Sequence, residues 1–269
     1  MKRVLAGVLL LAAAVSSWGY ETLQTSSGTP LRWSRSAFPV FYHINQAGSD
    51  DVSFAPLRDA ITASFGTWQA VSTADVSFQL GSVTAQTRTG NDGVNLVRWY
   101  ESEYPFEDST LAVTVDTFND VSGQLLDADI NVNGVNFRWS AGGGMGVFDV
   151  QNVITHEAGH LLGLGHSTVP ASTMYADASP GETSKRTLHA DDVAGLVFLY
   201  PLREAPPVSN PGDVNRSGRV DGRDLVLLAL AFGASAPEPR YLGRADFNAD
   251  GRVDGEDLAV LSANFGALY

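Results

Sequence analysis

The chain of 269 residues contains no cysteine, so disulfide staples and thiolate metal ligands are both excluded. Stability must come from an apolar core and from bound ions. Positive charge is also scarce: 17 lysines and arginines stand against 30 aspartates and glutamates, a net charge of −13. This balance argues against nucleic acid as a partner and suits a protein that collects hard cations. Long apolar runs are absent apart from Val4 to Val15, which follows Lys2 and Arg3 and precedes Ser16, Ser17 and Gly19. That run is too short to span a bilayer comfortably and reads as a secretory signal over residues 1–19, cut between Ser16 and Tyr20. The mature chain is expected to be secreted, extracellular and without a membrane span. Histidine is rare as well, and three of the five fall within eleven residues.

Those eleven residues are HEAGHLLGLGH, from His156 to His166. His156 and His160 are one helical turn apart and project from one face, as two ligands to one ion would. Glu157 sits beside the first ligand, where a carboxylate can act on water. Gly163 allows the helix to end and the chain to turn, bringing His166 round as a third ligand. Three neutral imidazoles leave one position of a tetrahedral zinc open, the arrangement of a catalytic site.

The segment HEAGHLLGLGHS resembles the zinc signature of the metzincin metallopeptidases, and Ser167 is similar to the matrixin, or matrix-metalloproteinase-like, branch. The resemblance implies a Met-turn beneath the ligands, which Ser172-Thr173-Met174-Tyr175 fits, with Met174 supporting the metal site. Tyrosine-ligand branches carry a tyrosine two residues past that methionine; here the position is Ala176. The lack of cysteine rules out the thiolate latency device of many animal matrixins. Matrixins also hold a structural zinc, but His43 and His189 are the two remaining histidines and sit in no cluster, so one catalytic zinc is expected.

The fold class expected is α+β: a metzincin-type domain over residues 20–200, with a twisted mixed sheet and three helices, followed by a small α-helical domain. Pro39 to Asn45 alternates like a strand, and Leu57, Ile61, Phe65 and Trp68 recur at helical spacing after Pro56. Strand-like runs follow at Val76 to Leu80, Val94 to Tyr100 and Leu111 to Val115. Leu125 to Asn133 alternates sharply and reads as an edge strand, bordering the cleft in the resemblance and open to extended substrate backbone. The zinc helix is expected from Asp149 to Leu162, and a last helix from Asp191 to Tyr200, ended by Pro201. Residues 201–212, with four prolines, read as a linker.

Beyond it the sequence repeats at a spacing of 33 residues, over 213–269. Oxygen-bearing side chains occupy loop positions 1, 3, 5, 9 and 12 in each copy. They are Asp213, Asn215, Ser217, Asp221 and Asp224, then Asp246, Asn248, Asp250, Asp254 and Asp257. With the carbonyls of Arg219 and Arg252, each set can wrap one Ca²⁺, giving two calcium ions. Ser217 leaves the first loop one charge poorer and so the weaker binder. Leu225, Leu228, Ala229 and Phe232 share one face of the helix after the first loop; Leu258, Leu261 and Phe265 repeat the pattern. The duplication, the terminal aspartate and the lack of a helix before each loop resemble a type I dockerin. That implies a cohesin-bearing scaffold as partner, although loop positions 10 and 11 are Gly222-Arg223 and Gly255-Glu256 in place of hydroxyl residues. Cell-surface attachment and intramolecular stabilisation stay open.

The reading is a monomeric, secreted zinc endopeptidase acting on protein or peptide substrates, with Glu157 as general base and then acid. Two alternatives stand beside it: a non-catalytic protein anchored through its calcium module, and a narrowly specific processing protease.

Overall fold

The computed structural model describes residues 18–202, 210–236, 238 and 240–269. Most of the signal expected over residues 1–19 and most of the expected linker lie outside the described residues. The chain divides into two compact units between Pro201 and Leu202.

The first unit is built on five strands: β1 (Val40–Asn45), β2 (Phe78–Thr84), β3 (Asn95–Tyr100), β4 (Ala112–Phe118) and β5 (Leu125–Asn133). Their order is β2-β1-β3-β5-β4. All neighbours run parallel except β4, which is antiparallel to β5. The edge strands are therefore β2 and β4, and Leu125–Asn133 lies inside the sheet, paired on both sides, which corrects the expectation from its alternation. Asp127, Asp129 and Asn131 alternate with apolar residues, yet all are buried. The backbone amides of Gly90 and Leu96 donate to Asp129, and those of Asp92 and Gly93 to Asp127 Oδ2, leaving Asp127 Oδ1 buried without a partner. The polar face is thus covered by the loop that carries Gly90, Asp92 and Gly93.

Helix α1 (Phe54–Gln69) joins β1 to β2 and carries the apolar stripe Leu57, Ile61, Phe65 and Trp68, all fully buried. The Trp68 indole N–H donates to Thr155 O at 2.8 Å, tying α1 to α2 (Val150–Leu161). Asp149 caps α2 by accepting from Asn152 N at 2.8 Å, and its carboxylate also receives two hydrogen bonds from the Arg186 guanidinium. At the other end Gly163 has φ +91°, and a Cβ there would meet Leu31 O at 2.2 Å. Only glycine lets the chain turn there. A two-stranded ladder of β6 (Trp139–Ser140) and β7 (Phe148–Asp149) leads into α2, and α3 (Ala190–Leu199) closes the unit. No described helix is long and apolar enough to cross a membrane.

The second unit pairs two loop–helix repeats, with α4 (Gly222–Ala231) and α5 (Gly255–Ala263). The segment after each helix bonds to the other repeat's loop. Gly233 N donates to Val253 O at 2.7 Å, and Gly266 N to Val220 O at 2.8 Å. Each helix thereby closes against its partner's loop around Val214, Val220, Leu228, Ala231, Ala245, Val253 and Leu261. The expected apolar face of α4 is turned: Leu228 is buried, but Leu225 and Phe232 are 40% and 44% exposed. Phe265 is likewise exposed. Asp224 ends the loop and must point inward, so the helix phase follows Asp224, Leu228 and Ala231. A short 3-10 helix, Gly243–Ala245, precedes the second loop, where the sequence suggests no helix.

Candidate metal centre and catalytic cleft

His156 and His160 project from α2, and the turn at Gly163 brings His166 to them. The Nε2 atoms of His156 and His160 are 3.1 Å apart, and those of His160 and His166 are 3.2 Å apart. The other ring nitrogens decide the tautomers. His156 Nδ1–H donates to Thr173 O at 2.7 Å and His160 Nδ1–H to Leu164 O at 2.8 Å. Both Nε2 atoms therefore present lone pairs toward one another, which repel unless a cation lies between them. Ligands held ~2.0–2.1 Å from a tetrahedral zinc stand about 3.3 Å apart, so the donor set and spacing fit that ion. Burial holds all three imidazoles below the ordinary histidine range, most of all His156, which keeps their lone pairs free.

Glu157 is 5% exposed and faces the same cleft. Thr114, on edge strand β4, donates its hydroxyl to Glu157 Oε2 at 2.6 Å. Burial raises the Glu157 carboxyl to about 7, against the lowering effect of Thr114. A carboxyl near neutrality can both take and return a proton.

Met174 is buried below α2. A Cβ on Gly159 would meet its sulfur at 2.2 Å, so the absent side chain lets the methionine approach the helix. The turn is held by Asp192 of α3, whose carboxylate accepts from His189 N at 2.8 Å, Thr173 N at 2.8 Å and Met174 N at 3.0 Å, and from the Ser172 hydroxyl. Asp192 thus orients Thr173, and Thr173 orients His156. Alongside, Asp191 accepts from Ser167 Oγ and Gly19 N, each at 2.6 Å.

The cleft has a volume of about 600 Å³ and runs along residues 109–114 of the β4 side. Its walls also include Val153, Phe137, Phe148 and Lys185. Lys185 is 5% exposed, its backbone N–H donates to Asn152 Oδ1 at 2.8 Å, and its ammonium donates to Tyr175 O. Burial draws that ammonium below the ordinary lysine range. Thr114, Lys185 and Asp192 escape the sequence reading, since nothing in their local spacing marks them. The remaining histidines lie elsewhere: His43 pairs with Ser82 Oγ, and His189 caps α3.

In the second unit each repeat gathers its expected ligands into one loop. Asp213 accepts from Ser217 N and Gly218 N, and Asp224 from Asn215 N and Asp221 N. Asp246 and Asp257 repeat this with Asp250 N, Gly251 N, Phe247 N and Asp254 N. Asn215 and Asn248 bond to the amides of Ser217 and Asp250, and Asp221 and Asp254 to those of Arg223 and Glu256. Asp213, Asp224, Asp246 and Asp257 are buried, and none of the ion pairs among the described residues involves them. Buried carboxylates without a basic partner fit a hard cation in each loop. The carbonyl of Arg219 instead receives the Ser217 hydroxyl at 3.1 Å.

Residues 32–201 match the family model described as Matrixin, and residues 211–265 that of the Dockerin type I domain. Among curated proteins, Metalloendoproteinase 2-MMP of Arabidopsis thaliana is 34% identical over 189 residues, covering 62% of this chain and 46% of that protein. Metalloendoproteinase 1 of Glycine max is 29% identical over 179 residues, covering 64% of this chain and 53% of that protein. Matrilysin of Homo sapiens is 38% identical over 66 residues, 24% of each chain. The chain thus spans about half the length, or less, of these relatives. With the motif, the fold around it and these matches in agreement, the chain belongs to the matrixin family and carries a dockerin type I domain after its matrixin domain.

Proposed function

We propose that this protein is a secreted zinc metalloendopeptidase, with a signal over 1–19, a peptidase domain over 20–200, a linker over 201–212 and a calcium module over 213–269. The observation that carries the reading is the convergence of three Nε2 atoms beside a buried carboxylate at the rim of a cleft. His156, His160 and His166 would hold the zinc. When bound, it supplies Lewis acidity to the scissile carbonyl and to the attacking water. Glu157 takes a proton from that water and delivers it to the leaving amine nitrogen. Thr114 holds Glu157 Oε2, and Thr173 fixes the His156 ring. Met174 fills the floor beneath. An extended substrate would add as a strand to the free edge of β4.

Two calcium ions would sit in the loops from Asp213 and Asp246, and a cohesin-like scaffold or a cell-surface component is the partner expected for that module. Purified protein should cleave casein, stop on zinc chelation and recover with zinc. Glu157→Ala should keep zinc by metal analysis yet lose nearly all cleavage. A fully active Glu157→Ala variant would refute the mechanism, and inactivity of zinc-loaded wild type on every protein substrate would favour a non-catalytic role.

A further inference from the structure

The cleft beside Glu157 is apolar along Val153, Phe137 and Phe148, with one buried cation set into its wall, Lys185. The ammonium has three protons, and the acceptor found for it is the carbonyl of Tyr175. Among the described residues no carboxylate stands within 4.0 Å of it. Glu182, Asp177, Asp192 and Glu157 act on the ammonium at longer range, and three of the four are hydrogen-bonded to other groups. Asp192 holds the Met174 turn, Glu182 accepts from Ser179 N and Ser184 Oγ, and Glu157 accepts from Thr114. Asp177 lines the cleft but is exposed, where water screens it. A buried ammonium with protons to spare, beside the apolar walls of Val153, Phe137 and Phe148, is suited to an anion.

What enters the cavity follows from Glu157, which must reach the leaving nitrogen and itself borders the cavity. Val153 and Lys185 line that same cavity, within the space open to the side chain of the residue that contributes the nitrogen. We propose that Lys185 is a specificity-determining residue that selects an acidic side chain, aspartate or glutamate, immediately after the scissile bond. This rests on the peptidase reading above. The apolar walls pack the methylenes, and the ammonium meets the carboxylate.

The test uses the full chain with zinc and calcium, and peptides identical except for Glu, Gln, Leu or Lys after the scissile bond. Wild type should cleave the Glu peptide with kcat/KM at least roughly tenfold above the Gln peptide, as a charge-assisted bond in a dry site implies, and the Lys peptide least. In Lys185→Met the Glu-to-Gln ratio should fall to about one, and in Lys185→Glu the Lys peptide should overtake the Glu peptide. A wild-type ratio near one, or preference for Leu over Glu, overturns the proposal without any variant having to fold. So does a Lys185→Met protein that slows on all four peptides in equal proportion, because that marks a merely structural tie to Tyr175. Casein digestion run alongside separates the two readings: casein cleaved but none of the four peptides overturns this proposal alone, and cleavage of neither overturns the peptidase reading with it.

Discussion

Thr114 Oγ donates to Glu157 Oε2 at 2.6 Å across 43 positions of sequence, coupling the free edge of the sheet to the carboxylate of the zinc helix. In the proposed mechanism the bond leaves Oε1 as the oxygen for water and fixes the plane of the carboxyl. Thr114→Val keeps the shape and removes the donor. It should lower kcat by roughly tenfold while leaving KM and zinc content close to wild type, with Thr114→Ser restoring most of the rate. Steady-state kinetics with metal analysis checks this, and an unchanged kcat would remove Thr114 from the mechanism.

Asp192 bears on the same site from the opposite side. Its removal leaves the buried amide of Thr173 without its acceptor and Met174 N with Ser172 Oγ alone, and so loosens the carbonyl that orients His156. Asp192→Ala should cost about 3 kcal/mol in denaturant unfolding of the first unit and weaken zinc binding roughly ten- to hundredfold. A variant with wild-type zinc affinity would show that the turn holds without it.

Asp116 gives a dependence on pH. Burial first, then the Glu157 and Asp129 charges, raise its carboxyl from 3.8 to about 8. The folded chain keeps this proton where the unfolded chain has released it. Stability therefore falls as pH rises from ~4 to ~8, by up to about 1.4 kcal/mol per pH unit, and levels off above. Asp116→Asn cannot ionise. It should match wild type near pH 4 and melt at a higher temperature than wild type at pH 8. Parallel melting curves across that range would contradict the assignment.

The two loops proposed to hold calcium differ at position 5. Ser217 offers a neutral hydroxyl already bonded to Arg219 O, whereas Asp250 offers a carboxylate. Ser217→Asp should tighten the first site roughly tenfold, and Asp250→Ser should weaken the second by a similar factor, as read by calorimetric calcium titration. Equal affinities in wild type would show that charge at this position is not decisive.

The sequence by itself determined the chemistry carried by short windows. The imidazoles and Glu157 lie within eleven residues and each calcium loop within twelve, so helix pitch and loop geometry alone bring those donors together. The buried stripe of α1 and the extents of α2 and α3 were legible for the same reason. Tertiary structure decided what depends on distant pairing. Alternation in Leu125–Asn133 records polarity, and only the amides folded over Asp127 and Asp129 make that face interior and leave β4 at the edge. The phase of α4 follows from Asp224 closing its loop, which a hydrophobic pattern does not encode. Thr114, Lys185 and Asp192 reach the site through strand order and the turn around Met174. Local spacing can specify a ligand set, because its geometry is that of one helix or one loop; the groups that orient and select arrive from other elements, and only packing brings them there.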